Sequence, residues 1–316
     1  MHSVFDLATK SRLRRGILPV ILISGMALPA SAALLVQSKV QESPDIKNKD
    51  TGKAPAAKEA EKNKEKLKAQ TGAVKLSPAE VLAETVIFAY GSRQALQAAR
   101  ASISEKGTIR VATEQGDLNG NFTLRRIQKD KSWQDLFRTD LEIETPESAQ
   151  RGGTPAKLKF TMTFNGASVW GAQNEQYISP SPESELAFRS QLVHDYTTLL
   201  RYKEDGSKLE IVGPETVEGI DTQAMDLTLP TGEKTKFWIS SKSYRILYLE
   251  YDIKLPNGST SKVRVKYKYA PYKVVQNTLV PARRVMEQDG KFVQEITLNQ
   301  VVYSAKLDPD IFVHLP

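Results

Sequence analysis

Alternating apolar and polar positions dominate the chain after residue 107 and predict a large antiparallel sheet. About ten or eleven strand-like runs are separated by short turn signals such as Asn257-Gly258. Phe160, Met162 and Phe164, for example, alternate with polar residues, which is the two-residue period of a strand with one buried face. A sheet with this many strands is expected to curl.

The stretch from Phe237 to Ile253 differs from the other strand-like runs because it is apolar on both faces. Strands of this kind are covered on both sides, so we expect a hairpin in the middle of the sheet. We expect Leu247, Leu249 and Tyr251 to face the helices, and Tyr244 and Tyr248 to turn toward the other face.

Two amphipathic helices are predicted, at 77–103 and 181–203. The first begins with Ser77 as N-cap and Pro78 in the first turn, which together are a strong start signal. Gly91-Ser92 is expected to kink or divide it. Because the two helices have no helical partners of their own, they must pack on the sheet.

These elements predict an α+β fold in which a large curled antiparallel sheet and its helices enclose an apolar cavity. We expect aromatic and aliphatic side chains from the strand faces to form the cavity wall. The residues concerned are Trp133, Phe137, Leu141, Phe160, Met162, Phe164, Trp170, Trp238, Leu247, Leu249 and Tyr251. The alternative interpretation is that they are ordinary core residues.

The N-terminus predicts a signal peptide at 1–32 that is removed on export. Four basic residues precede a short apolar segment, Gly16 to Leu28, and Ala30-Ser31-Ala32 is a small-residue cleavage site. The segment is short for a membrane span, although an uncleaved anchor is the alternative. The chain has no Cys, which excludes disulfides, thiolate metal sites and a lipid-modified N-terminal Cys.

A charged tether is predicted at 33–75, followed by one folded domain at 76–316. The tether holds ten Lys, six acidic residues and few large apolar residues, so it is expected to be disordered. Contact with the cell wall or with anionic lipid through its Lys run is an open alternative. The folded domain has 30 basic and 30 acidic residues, so no nucleic-acid footprint is expected.

The sequence contains one catalytic-type match, S-x-x-K at Ser259 to Lys262, but it follows a hairpin turn into a strand and not a helix start, so we interpret it as chance. Of the three His, only His194 lies within a predicted helix, and its neighbour Asp195 would point elsewhere. No nucleophile elbow or Walker loop occurs, and no set of ligand-type residues has metal spacing. The sequence therefore predicts a binding scaffold rather than an enzyme, with neither metal nor cofactor.

Three stretches resemble the LolA/LolB-like outer-membrane lipoprotein-sorting proteins of Gram-negative bacteria. They are AYGSRQALQAARASISEKG, GPETVEGIDTQAMDLTLPTGEKTKFWISSKSYRILYLE and LVPARRVMEQDGKFVQEITLNQVVYSAKLDPDIFVHLP. The resemblance extends from Ser77 to the C-terminus. Ser240 stands where the family commonly has Asp, and the long tether is a further departure.

This resemblance implies an unclosed half β-barrel, with two or three helices over its concave face and a cavity for acyl chains. The expected function is a periplasmic carrier of lipid or acylated lipoprotein, acting as a monomer with membrane-associated donor or acceptor proteins. Two alternatives remain open. One is a lipid-sensing or protein-docking module on the same scaffold, and the other is a periplasmic hydrolase that uses His194.

Overall fold

The computed structural model describes residues 75–114, 116–144, 157–268 and 270–313. The predicted signal peptide, nearly all of the predicted tether and His314 lie outside these residues, so those expectations stay predictions. Among the described residues, no helix is both long enough and apolar enough to cross a membrane. The described residues from Pro78 onward belong to one compact unit.

Five α-helices lie within the described residues. They are α1 Pro78–Ala89, α2 Arg93–Ala99, α3 Pro182–Val193, α4 Tyr196–Leu200 and α5 Tyr202–Asp205. Two 3-10 helices, Ser132–Gln134 and Pro309–Phe312, are also present. Both predicted helix starts are confirmed, but each predicted helix is divided into shorter pieces.

The described residues form fifteen strands, more than the ten or eleven predicted. They are β1 Ser102–Thr113, β2 Gly116–Ile127, β3 Leu136–Glu144, β4 Lys157–Phe164, β5 Val169–Gln173, β6 Gln176–Ile178, β7 Lys208–Val217, β8 Ile220–Thr228, β9 Lys234–Ser240, β10 Ile246–Lys254, β11 Thr260–Lys266, β12 Tyr272–Val275, β13 Thr278–Pro281, β14 Arg283–Gln288 and β15 Lys291–Tyr303.

Thirteen of these strands make one antiparallel sheet in the order β6-β5-β4-β3-β2-β1-β15-β14-β11-β10-β9-β8-β7. The first and last long strands pair with each other at the middle of the sheet, with Ile109 opposite Ile296. The sheet is open, with β6 and β7 as its edges, while β12 and β13 form a separate hairpin. This large, unclosed antiparallel sheet with a few helices confirms the predicted α+β fold class.

The helices pack on one face of the sheet, which we call the covered face. The main core cluster joins helix residues such as Ile87 and Leu199 to strand residues such as Phe164, Phe237 and Leu249. These strand residues follow the two-residue period that the sequence predicts. Thus the alternation of apolar side chains determines which face the helices cover.

The boundary between α1 and α2 is fixed by a close approach of two backbones. Gly91 has φ 127°, and a Cβ atom there would lie 2.4 Å from the carbonyl oxygen of Asn277. Only glycine readily adopts this positive φ and leaves room for the carbonyl oxygen. The turn after α1 therefore packs directly against the β12–β13 turn, as the Leu279 N–H to Tyr90 O hydrogen bond of 2.9 Å also indicates.

The expected facing of the central hairpin is partly wrong. Its register shifts between Ile246 and Tyr248, which indicates a bulge in β10. Leu249 and Tyr251 join the main core cluster on the covered face, as expected. Leu247 instead packs in a separate cluster with Trp238 and Tyr248, because a bulge residue leaves the simple alternation of a strand.

Candidate ligand site

A groove of about 880 Å³ runs between α3 and the ends of the nearby strands. Its apolar wall consists of Trp133, Leu186, Leu192, Val193, Tyr251 and Ile253. Five carboxylates and five cationic side chains surround this wall, so the rim carries no net charge. An apolar floor with a mixed polar rim suits a ligand that has a hydrocarbon part.

Local sequence signals hold α3 in position above the groove. The Ser181 hydroxyl accepts a hydrogen bond from Ser184 N at the start of α3, and Pro182 follows the cap. Such a cap satisfies a backbone donor that the helix itself cannot pair. The Asp205 carboxylate accepts a hydrogen bond of 2.8 Å from Ser132 N, which anchors the 3-10 helix that carries Trp133.

The inner end of the groove is closed by a stacked pair of rings, His194 and Tyr251. Their centroids are 3.9 Å apart and their planes differ by 7°. His194 Nδ1 lies 2.7 Å from Thr235 Oγ1, and burial lowers the pKa of His194 to about 3. His194 is therefore neutral near pH 7 and acts as part of a wall.

Behind this pair lies an inner cavity of only about 80 Å³, which His194 and Tyr251 also line. Its other walls include four charged residues, Glu105, Arg126, Asp195 and Arg284. Pockets for drug-sized ligands are usually about 300–1,000 Å³. Instead of the one apolar cavity expected from the sequence, the structure has an outer groove and a small inner cavity whose mainly apolar lining includes four charged residues.

Buried ion pairs connect the covering helices to the sheet beside this cavity. Arg126 on β2 contacts the fully buried Asp135 at 2.7 Å and donates to Leu192 O at the end of α3 at 3.4 Å. Arg284 on β14 pairs with Glu105 at 2.5 Å and lies 3.8 Å from Asp195, the N-cap of α4. The helices are therefore held by charged contacts as well as by apolar packing.

The residues predicted to line one cavity are distributed over several places. Phe137, Met162, Phe164, Leu249 and Tyr251 are buried in the main cluster, and Trp133 packs against it. Only Tyr251 and Trp133 from this set line the groove, and Phe137 lines the inner cavity.

The other predicted residues lie away from the groove. Leu141 and Phe160 belong to a second core cluster. Trp170 pairs with Thr163 and donates to Phe312 O at 3.3 Å. Together with Leu141 and Phe160 it lines a different cavity of about 480 Å³. Trp238 and Leu247 form the third cluster. The sequence therefore identifies apolar strand positions better than it identifies a shared site.

The sequence reasoning missed the buried charges, although a signal for two of them was present. Phe122 and Arg126 both lie on the covered face of β2, because they are four residues apart on one strand. Glu105 lies between Ile103 and Gly107 in the same inward series on β1. A charged residue in an inward position is rarely buried unless it is paired, so these positions predict an internal ion-pair network.

Among the described residues, no group of three or more His, Cys, Asp or Glu side chains is arranged to hold a metal ion.

Solved structures similar to this chain include proteins of the LolA superfamily. A LolA superfamily protein from Nitrosomonas europaea has a TM-score of 0.44 and 13% identity, covering 73% of this chain and 97% of that one. A domain from Vibrio parahaemolyticus, described as an outer membrane lipoprotein-sorting protein domain, has the same TM-score and identity, covering 73% and 94%.

A DUF1329 family protein from Desulfovibrio piger is similar at a TM-score of 0.48 and 12% identity, covering 76% of this chain and 98% of that one. No protein-family model and no curated protein sequence matches this chain.

Proposed function

We propose that this protein is a periplasmic carrier that binds an acyl chain of a lipid or lipoprotein in the groove beneath α3. The observation that carries the proposal is the groove itself, about 880 Å³ with a wall of six large apolar residues. The sequence supports the same function through its predicted export signal and its resemblance to LolA/LolB-like proteins.

Apolar burial would supply the binding energy. Each methylene group removed from water contributes about 0.8 kcal/mol, so a short stretch of hydrocarbon is enough for useful affinity. The neutral rim would allow carriage of cargo with different head groups, because it favours neither sign of charge. The protein acts by binding and release, and no bond is made or broken.

The experiment combines native mass spectrometry of the purified mature chain with titration of a fluorescent fatty acid, cis-parinaric acid. We expect co-purified lipid and saturable binding by the wild type. Leu186→Arg places a charge in the apolar wall and should weaken binding at least fivefold. Val302→Arg is the control, because Val302 is an apolar residue that is 40% exposed outside the groove.

Two results would contradict the carrier function. The first is a wild-type protein that neither carries lipid nor takes up the fatty acid. The second is equal binding by Leu186→Arg and Val302→Arg while both variants remain folded.

A protein-docking module is the second candidate, and one surface feature favours it. Phe88 is 79% exposed and Val81 is 52% exposed on α1. Since the two residues are seven positions apart, they share the outward face of the helix. A stable complex with another periplasmic protein that Phe88→Ser abolishes, together with no lipid binding, would favour docking over carriage.

A further inference from the structure

The charges around the groove beneath α3 balance in total but not locally. Three ion pairs join residues of the rim, namely Asp226–Lys234 at 2.6 Å, Glu250–Lys262 at 2.8 Å and Glu185–Arg189 at 3.6 Å. Lys236 pairs with Glu215, which lies outside the groove. The rim charges that hold no ion pair within the described residues are therefore two carboxylates, Glu233 and Asp252, and one lysine, Lys254.

Glu233 differs from the other two residues because its carboxylate is partly withdrawn from water. Asp252 and Lys254 are exposed, whereas Glu233 is partly buried. Its Oε2 atom is buried and has no hydrogen-bond partner in the described part of the chain. Since Glu233 also lines the groove, its carboxylate reaches the groove through the other oxygen, Oε1.

The turn between β8 and β9 holds Glu233 on the groove side of the sheet. Leu229 N donates to Glu233 O at 2.9 Å, and Leu229 is part of the main core cluster. Thr235, two residues after Glu233, is buried and lies 2.7 Å from His194 Nδ1 at the inner end of the groove. Alternate residues of an extended chain point to the same side, so the Glu233 side chain lies on the side that α3 covers.

An unpaired carboxylate with one desolvated oxygen is costly for the folded protein. A ligand that brings an ammonium group into the groove would relieve this cost, because an ammonium has three donors and forms charge-assisted hydrogen bonds to a carboxylate. A ligand with its own carboxylate would instead place two like charges together. The unpaired Glu233 therefore distinguishes between head groups, although the net charge of the rim does not.

We propose that Glu233 gives the groove a preference for amphiphiles that carry a primary ammonium group next to their hydrocarbon chain. The inference rests on the proposed acyl-binding function, because the hydrocarbon part lies on the apolar wall while the ammonium pairs with Glu233. The groove admits other head groups as well. Glu233 ranks them, with an ammonium above a neutral group and a neutral group above a carboxylate.

The test is isothermal titration of the mature protein with three probes of equal chain length, namely decylamine, decanol and decanoate. At pH 7 the amine is protonated and the carboxylate is ionised. The ionic strength is kept low and constant, because salt screens charges near the surface. We expect the tightest binding for decylamine and the weakest for decanoate, with about tenfold or more between these two affinities.

Glu233→Gln removes the charge and keeps the size of the side chain. It should weaken decylamine binding about fivefold or more, strengthen decanoate binding and leave decanol binding unchanged. A purely structural role would change all three affinities in the same direction. Glu114→Gln is the matched control, because it removes the same charge at an exposed position outside the groove, and its three affinities should equal those of the wild type.

Leu186→Arg shows where the amine binds, since a cation in the apolar wall should weaken decylamine binding as well. Equal affinities of the wild type for the three probes would overturn the preference and leave the acyl-binding function standing, whereas no binding of any probe would overturn both. The preference is also overturned if Glu233→Gln binds decanol normally and keeps the wild-type ranking. The ranking in the wild type needs no variant, so it decides the matter if Glu233→Gln does not fold.

Discussion

His194 is buried in its neutral form, and this gives the protein a specific dependence on pH. Burial lowers its pKa from 6.5 to about 3 in the folded state. The unfolded chain therefore takes up a proton at a higher pH than the folded protein does. The contribution of His194 to the free energy of unfolding is complete above about pH 6.5 and is lost progressively as the pH falls toward 3.

We predict that His194→Gln flattens the fall in stability at acidic pH. Each pH unit below 6.5 removes about 1.4 kcal/mol from the wild type through this group, so two units remove about 3 kcal/mol. Urea unfolding of wild type and variant at several pH values between 4.5 and 7.5 measures the difference in slope. Parallel curves for the two proteins would mean that His194 titrates normally in the folded state.

Single residues also explain why buried charges were harder to predict than the apolar core. Phe164 and Leu249 were identified because an apolar residue in an inward strand position is buried whatever surrounds it. Arg100 follows α2 as its C-cap residue, and nothing in the local sequence indicates that its side chain is buried. Its burial depends on Tyr196 and Tyr303, which are distant in sequence.

At the scale of secondary-structure elements, the starts of the helices and the alternation of the strands were predicted well. The breaks within helices and strands were predicted less well. The α1 and α3 starts follow from Ser-Pro pairs that fix the first turn. The division of the second helix at His194 and Asp195 was not predicted, although Asp195 caps α4 by accepting from Thr197 N. The bulge near Leu247 was also missed, because a bulge depends on the partner strand as much as on its own residues.

The close packing of the α1–α2 turn on the β12–β13 turn can be tested through its contribution to stability. We predict that Gly91→Ala destabilises the protein by about 3 kcal/mol, through left-handed backbone strain and the clash with Asn277 O. Gly213→Ala is the matched control, since Gly213 has a similar positive φ, 136°, but has open space around it. That variant should lose only about 1 kcal/mol.

Urea unfolding of the two glycine variants measures both losses under the same conditions. Equal losses would show that backbone strain alone accounts for the effect at Gly91. The close packing of the α1–α2 turn on the β12–β13 turn would then contribute nothing to stability.

For the molecule as a whole, the antiparallel class and the one-sided packing of helices were predictable from the sequence. The order of the strands in the sheet was not predictable. A two-residue period shows which side chains of a strand point inward, but it does not show which strands lie next to each other. The pairing of β1 with β15 joins Ser102–Thr113 to the last strand of the chain. This contact joins residues that are nearly 190 positions apart in the sequence, such as Ile109 and Ile296, so the local sequence pattern does not predict it.

The position of β15 leads to a prediction about cooperativity. It joins the strands β6 to β1 on one side to the strands β14 to β7 on the other. Ile296 pairs with Ile109 on β1 and with Arg284 on β14. Ile296→Pro should therefore destabilise both halves by more than about 3 kcal/mol, because a proline in a central strand removes a donor and distorts the pairing.

Two single-tryptophan proteins, retaining either Trp170 on β5 or Trp238 on β9, report on the two halves separately. If β15 makes the sheet one cooperative unit, both fluorescence transitions coincide in otherwise wild-type protein and shift together with Ile296→Pro. Tyr177→Pro, in the three-residue edge strand β6, should shift both only slightly. Separate transitions for Trp170 and Trp238 would mean that the halves unfold independently. Pairing through β15 would then add little to the cooperativity of unfolding, and the groove beneath α3 could open without disturbing β1 to β6.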